Sequence, residues 1–128
     1  MLQALTQVML YCQDTDACAE FWCQKMNFTC LDQFEGPGGK TSYTLAPAPG
    51  SQMQLVLHNK DGVAAMATGV NLATPSILFS CQDIDQTHAA MTQQDIRVNA
   101  IMTAGQLKTF SFADPEGNHF AIQELKQA

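Results

Sequence analysis

The chain has 128 residues, the length of one domain that buries roughly two thirds of its unfolded surface. With 46% hydrophobic and 14% charged residues it reads as an ordinary globular chain rather than a disordered one. The formal net charge of -6, with six Lys and Arg scattered along the sequence, excludes the basic stripe that a nucleic-acid partner needs and disfavours an anionic membrane surface.

Gln7 to Cys12 is an apolar run expected to form a mostly buried strand. Asp14 or Thr15 then offers a side-chain oxygen to cap a helix over Asp16 to Met26, where Cys18, Phe21, Trp22 and Met26 fall on one face. Phe28 to Phe34 alternates loosely as a second strand, and Gly36-Pro37-Gly38-Gly39 must be a loop, since no helix or strand interior tolerates that run. Lys40 to Leu45 is a third strand, Pro47-Ala48-Pro49-Gly50 turns the chain, and Gln52 to His58 is a fourth. Residues 59–74 read as a connector, broken by Asp61-Gly62, Ala64-Ala65 and Thr68-Gly69, with room for one helical turn. The order then repeats. Ser76 to Cys81 is a strand, Asp83 caps a helix running to about Gln94, and Ile96 to Met102 and Leu107 to Ala113 are strands. A turn at Asp114-Pro115-Glu116-Gly117-Asn118 leads into a last strand, His119 to Glu124.

Cys12-Gln13-Asp14-Thr15-Asp16 is echoed by Cys81-Gln82-Asp83-Ile84-Asp85, an offset of 69 residues, and both copies sit between an apolar run and a helix. Two equivalent strand-to-helix openings imply a duplicated module. The expected organisation is a single domain over 1–128, with a first module at 6–58, the connector at 59–74 and a second module at 75–125. No apolar run approaches the ~20 residues of a membrane span, and the first basic residue is Lys25, so no basic signal-peptide region is visible. Five cysteines without a C-x-x-C pair argue against a disulfide framework or a zinc finger and for free thiols in the cytoplasm.

The paired openings, Phe21-Trp22 on the first helix, Asp83-Ile84-Asp85 on the second, and the run Thr109-Phe110-Ser111-Phe112-Ala113-Asp114-Pro115-Glu116-Gly117-Asn118 together resemble the vicinal oxygen chelate superfamily, which includes glyoxalase I, bleomycin-resistance proteins and extradiol dioxygenases. The resemblance implies an α+β fold: two βαβββ modules whose strands form one cupped mixed sheet, helices outside and a pocket inside. It also implies a homodimer.

Enzymes of that superfamily hold a divalent ion with His, Gln or Glu from the first and last strands of each module, and a substrate with adjacent oxygens chelates the ion. The matching positions here are Gln7, Val56, Ser76 and Ala121, of which Gln7 alone is a convincing ligand. Valine and alanine offer a hard cation nothing. A one-residue shift of the last strand swaps sheet faces and offers Phe120 or Ile122. A two-residue shift keeps the face and offers Gln54 or His58 and His119 or Gln123, so that Gln7, His58 and His119 would form a non-standard site. The bland alternative makes both histidines hydrogen-bonding or exposed residues at strand ends. His88 reads as a solvent-facing helix residue, and Cys12 and Cys81 have the parity of the helix-facing side.

By the same parity the concave side carries Gln7, Met9 and Tyr11, then Gln54, Val56 and His58, Ser76, Leu78 and Ser80, and His119, Ala121 and Gln123. Neutral polar groups around an apolar patch suit a small organic ligand, with burial supplying affinity and the polar groups orientation. Otherwise these side chains simply fill the cup. Two functions follow. One is a protein with no metal cofactor that binds a small, largely apolar molecule, as bleomycin-resistance relatives bind a drug. The other is a divalent-metal lyase or isomerase of the glyoxalase type, which needs a ligating Glu as base. No catalytic residue can be assigned.

Overall fold

The computed structural model describes residues 1–66 and 69–126; Thr68 of the expected Thr68-Gly69 break lies outside the described residues. The chain divides into two compact units, one up to Thr74 and one from Pro75 onward. Each is an α+β module with its own mixed sheet.

The first unit contains β1 (Gln7–Cys12), α1 (Thr15–Glu20), β2 (Thr29–Glu35), β3 (Thr41–Ala46), β4 (Gln54–Asn59) and α2 (Lys60–Ala65). Its strands lie in the order β1-β4-β3-β2, with β1 parallel to β4 and the other pairs antiparallel. The second contains β5 (Leu78–Cys81), α3 (Ile84–Gln93), β6 (Arg97–Val98), β7 (Met102–Ala104), β8 (Leu107–Ala113) and β9 (His119–Glu124). Here β5 runs parallel to β9, β9 pairs with β8, and β6 and β7 both pair with β8. The wiring is the same, with the second strand position split in two. In both units the parallel pair requires a crossover, which the intervening segment with its helix supplies.

The repeated Cys-Gln-Asp segment has one job in both copies. Asp14 and Asp83 are extended (φ -127, ψ 94 and φ -128, ψ 99), and each Oδ1 accepts a backbone N–H from the first turn of the following helix: Ala17 at 3.0 Å, Gln86 at 3.1 Å. Asp16 and Asp85 add negative charge to those first turns, which the helix dipole favours. Both helical segments are followed by a residue with φ of 59, Asn27 after the turn that extends α1 and Asp95 after α3, residue types whose short side chains tolerate the left-handed region.

Strand parity follows the sequence. On β1, Leu10 and Cys12 are buried against the helix side, while Gln7, Met9 and Tyr11 face the other way. Leu10, Leu45, Leu55 and Leu57 with Cys18, Phe21 and Trp22 make the first core. Phe110, Phe112, Phe120 and Ile122 with Ile84 and Met91 make the second, where Phe112 and Phe120 stack with ring centres 5.6 Å apart. Burying each large apolar side chain contributes roughly 1.5–3 kcal/mol.

Several expectations are corrected. The first helix does not run to Met26: α1 stops at Glu20 and Phe21–Lys25 widens into a π turn closed by Met26 N–H to Phe21 O at 3.2 Å. The expected strand Ile96 to Met102 is interrupted between β6 and β7, where Asn99 still holds β8 through its backbone N–H to Ser111 O at 2.9 Å and its side-chain amide to the Ser111 hydroxyl. Ser76 precedes β5 rather than opening it. Other readings hold: Gly36–Gly39 lies in a loop, with a 3-10 turn at Pro37–Gly39, and the connector's helical turn is α2, whose Gly62 sits against that turn. His88 is half-buried, its ring edge-on to Phe110 at 4.8 Å and its Nε2 2.9 Å from Asn99 O.

Candidate functional site: the open face of the first sheet

The register of the first sheet brings six of the expected binding residues onto one face. Gln7 pairs with Gln54, Met9 with Val56 and Tyr11 with His58 across the parallel β1–β4 ladder. Directly opposed residues share a face, so these six form three rows. Next to them, β3 contributes Thr44 opposite Val56, and Ser42 beside His58. The edge strand β2 then adds Phe34 opposite Ser42 and Asp32 opposite Thr44, both exposed.

Each row has its own chemistry. At one end the Gln7 amide donates to Gln54 Oε1 at 3.0 Å, a neutral polar pair at the exposed margin. The middle row is apolar: Val56 is 2% exposed, and Met9 is the accessible side chain beside it. At the far end His58 stands in a ring cluster. Its centroid lies 6.5 Å from that of Tyr11 in near-parallel planes and 6.1 Å from that of Phe34 in an edge-on arrangement. Its Nδ1 is 2.7 Å from the Ser42 hydroxyl. Burial pushes the His58 pKa below its ordinary 6.5, which favours the neutral ring.

The far end is closed by local geometry. Asn59 ends β4 and caps α2 through Gly62 N–H to Oδ1 at 2.8 Å. That brings Gly62 against Pro37, where a Cβ would lie 2.4 Å from the carbonyl carbon. Gly36 of the same loop presses on Ser42, where a Cβ would lie 1.9 Å from Oγ. The loop therefore forms a wall over Ser42.

A serine hydroxyl on a histidine nitrogen resembles the first two members of a nucleophilic triad, but this pair cannot act as one. Ser42 is 0% exposed beneath Gly36, out of reach of a substrate. What the face can do is bury apolar surface on Met9 and the rings and fix a ligand's orientation through His58 and the two glutamines.

In the second unit, Leu78, Ala121 and Ser111 share a row, as do Ser80, Gln123 and Thr109, and Ala113 and His119. Leu78 is 54% exposed, His119 is exposed, and Ala121 and Gln123 are half-buried; Ser76 is exposed beyond the strand. Hydroxyls and amides predominate on this face. Sequence reasoning missed Phe34, Ser42 and Thr44 on the first sheet and Asn99, Thr109 and Ser111 on the second. It considered first and last strands only, and cross-strand partners have no local signature.

The positions that would hold a divalent ion fit one poorly. Val56 is a buried hydrocarbon and Ala121 offers no donor, which leaves the neutral Gln7, whose Nε2 donates to Gln54, with a single amide oxygen to give. Among the described residues no group of three or more His, Cys, Asp or Glu could hold a metal ion. All five cysteines are free thiols; Cys12 is buried and Cys81 half-buried on the helix sides.

The fold is a duplicated βαβββ arrangement whose first sheet carries a face of mixed apolar and neutral polar side chains. The model of the Glyoxalase/Bleomycin resistance protein/Dioxygenase superfamily matches residues 4–122, and the chain belongs to that superfamily. It is 29% identical over 126 residues to the uncharacterized protein YetH of Bacillus subtilis (strain 168), covering 97% of this chain and 100% of YetH. Among solved structures it is similar to TnmS3, an antibiotic binding protein from Streptomyces sp. CB03234, with a TM-score of 0.78 and 18% identity over 96% of each chain. It is also similar to lactoylglutathione lyase from Agrobacterium tumefaciens, with a TM-score of 0.74 and 16% identity over 96% of this chain and 94% of that one. At such identities the likeness establishes the fold alone. No helix among the described residues is long and apolar enough to cross a membrane.

Proposed function

We propose that this protein binds a small, largely apolar molecule on the open face of the first sheet, without a divalent metal cofactor. The observation that carries the reading is the row structure of that face: an apolar centre of Met9 and Val56 between a glutamine pair and a neutral, ring-flanked His58. The antibiotic binding activity named for TnmS3 supports it, while the lyase named among the structural neighbours keeps metal-dependent chemistry as the competing function. That competitor needs a carboxylate beside the metal to move a proton, and Val56 and Ala121 stand where the superfamily's enzymes have it. A cytoplasmic homodimer is part of the proposal by family analogy, and light scattering of the purified protein tests the dimer.

Metal analysis followed by a thermal-shift screen tests the function. The expected result is substoichiometric metal and a subset of hydrophobic compounds that raise the melting temperature in the presence of chelator. Stoichiometric nickel, zinc or manganese, with lyase or isomerase activity lost on chelation, would replace binding with catalysis.

A further inference from the structure

We propose that Ser42 locks His58 in the tautomer with hydrogen on Nε2, so that the open face presents a neutral N–H donor and selects flat, apolar ligands carrying a neutral acceptor oxygen, such as an aryl ketone. The lock stands on the Ser42–His58 geometry alone; the ligand selection rests on the binding reading above.

A hydroxyl has a single hydrogen to give. Ser42 is 0% exposed, and among the described residues its hydroxyl has one hydrogen-bond partner, His58 Nδ1 at 2.7 Å. If Nδ1 carried the ring proton it would donate to Oγ, and the serine hydrogen would be buried without an acceptor. That is the costly arrangement for a polar group out of water. If Oγ–H donates to the Nδ1 lone pair, both groups are satisfied and the ring hydrogen resides on Nε2. The Gly36 backbone packs so close to Oγ that an added Cβ would overlap it, which keeps the serine side chain in place beside His58.

The same geometry resists protonation. An imidazolium would bring a second hydrogen to Nδ1, directed at the serine hydroxyl, and would force that hydroxyl to turn away. Burial acts in the same direction on the ring. What surrounds His58 is uncharged: Tyr11 from β1, Ser42 from β3 and Phe34 from β2. Among the described residues Nε2 has no hydrogen-bond partner, so its hydrogen remains to be used by a ligand. A neutral donor set among Tyr11 and Phe34, beside Met9 and Val56, matches a planar apolar molecule with a carbonyl oxygen. A ligand whose polar group is itself only a donor would face Nε2–H with hydrogen against hydrogen.

The test has two arms on the full chain. First, long-range proton–nitrogen correlation spectra of the ligand-free protein at pH 7.5 report each ring nitrogen directly. The expected His58 pattern is protonated Nε2 and bare Nδ1, moving to a tautomer mixture in Ser42→Ala; dominant protonation at Nδ1 in the wild type overturns the lock. Second, fluorenone and fluorene differ by one carbonyl oxygen. Fluorenone is expected to bind the wild type about tenfold more tightly, and His58→Phe is expected to bring the two affinities together. Equal affinities for the wild type overturn the selection while leaving the face as a binding site. Failure of both compounds to bind overturns the selection together with the placement of an aromatic ligand on this face, and the spectra then judge the lock alone.

Discussion

Asp114 shows how much a single carboxylate organises here. It is 6% exposed, and its oxygens accept from Glu116 N–H and Asn118 N–H at 2.9 Å and from the Asn118 side-chain amide at 3.2 Å, while Gly117 supplies the positive φ of 81. The Asp-Pro-Glu-Gly-Asn run is therefore a self-bonded turn that sets the β8–β9 register. Asp114→Ala leaves buried donors unsatisfied and is expected to cost about 2–3 kcal/mol in urea unfolding. Asp14→Ala and Asp83→Ala each lose one helix cap and are expected to cost about 1 kcal/mol. His58 adds a pH dependence with a definite sign. Its folded pKa lies below 6.5, so the unfolded chain takes up the proton first as pH falls. The stability this residue contributes is full above 6.5 and declines as pH drops through the window down to the depressed folded value. Urea midpoints measured from pH 7.5 to 5 should fall more steeply for the wild type than for His58→Asn.

At the scale of elements, α2 is held by a backbone-to-backbone approach. Replacing a helical glycine by alanine ordinarily helps a helix by about 1 kcal/mol. At Gly62 the new Cβ would lie 2.4 Å from the Pro37 carbonyl carbon and 2.5 Å from its oxygen, so α2 and the Pro37–Gly39 turn must separate. Gly62→Ala is therefore expected to destabilise the protein by about 1–3 kcal/mol, the reverse of its helix-propensity effect. The same contact explains why α2 was hard to read from sequence. Its buried residues are Gly62 and Val63, too few for a periodic stripe, and their partner is a turn more than twenty residues earlier. By contrast β1, the two capped helices and the β8–β9 hairpin were legible, because alternation, Asp caps and the Asp-Pro-Glu-Gly-Asn turn are local signals. The faces of β1 and β4 followed from parity. The contributions of β2 and β3 did not, because a bulge between Cys30 and Asp32 shifts the pairing and resets which residues of β2 meet Ser42 and Thr44.

Across the whole molecule, two units share one wiring, one capping device and one way of ending the helix, yet carry different open faces. The first has the ring cluster and the half-buried His58 bonded to the buried Ser42; the second has hydroxyls and amides around Leu78 and Ala121. Superfamily membership explains the shared scaffold. It does not choose between binding and catalysis, since the fold is common to TnmS3 and to a lactoylglutathione lyase. The side chains on the faces make that choice. The most direct measurement is a methyl-resolved NMR titration of the full chain with the best-stabilising compound, run in chelator. Saturable shifts at the Met9 and Val56 methyls and the His58 ring, unchanged when divalent ions replace the chelator, are the predicted result. Binding that vanishes in chelator and returns with a divalent ion, or shifts that bypass those three residues, would contradict it.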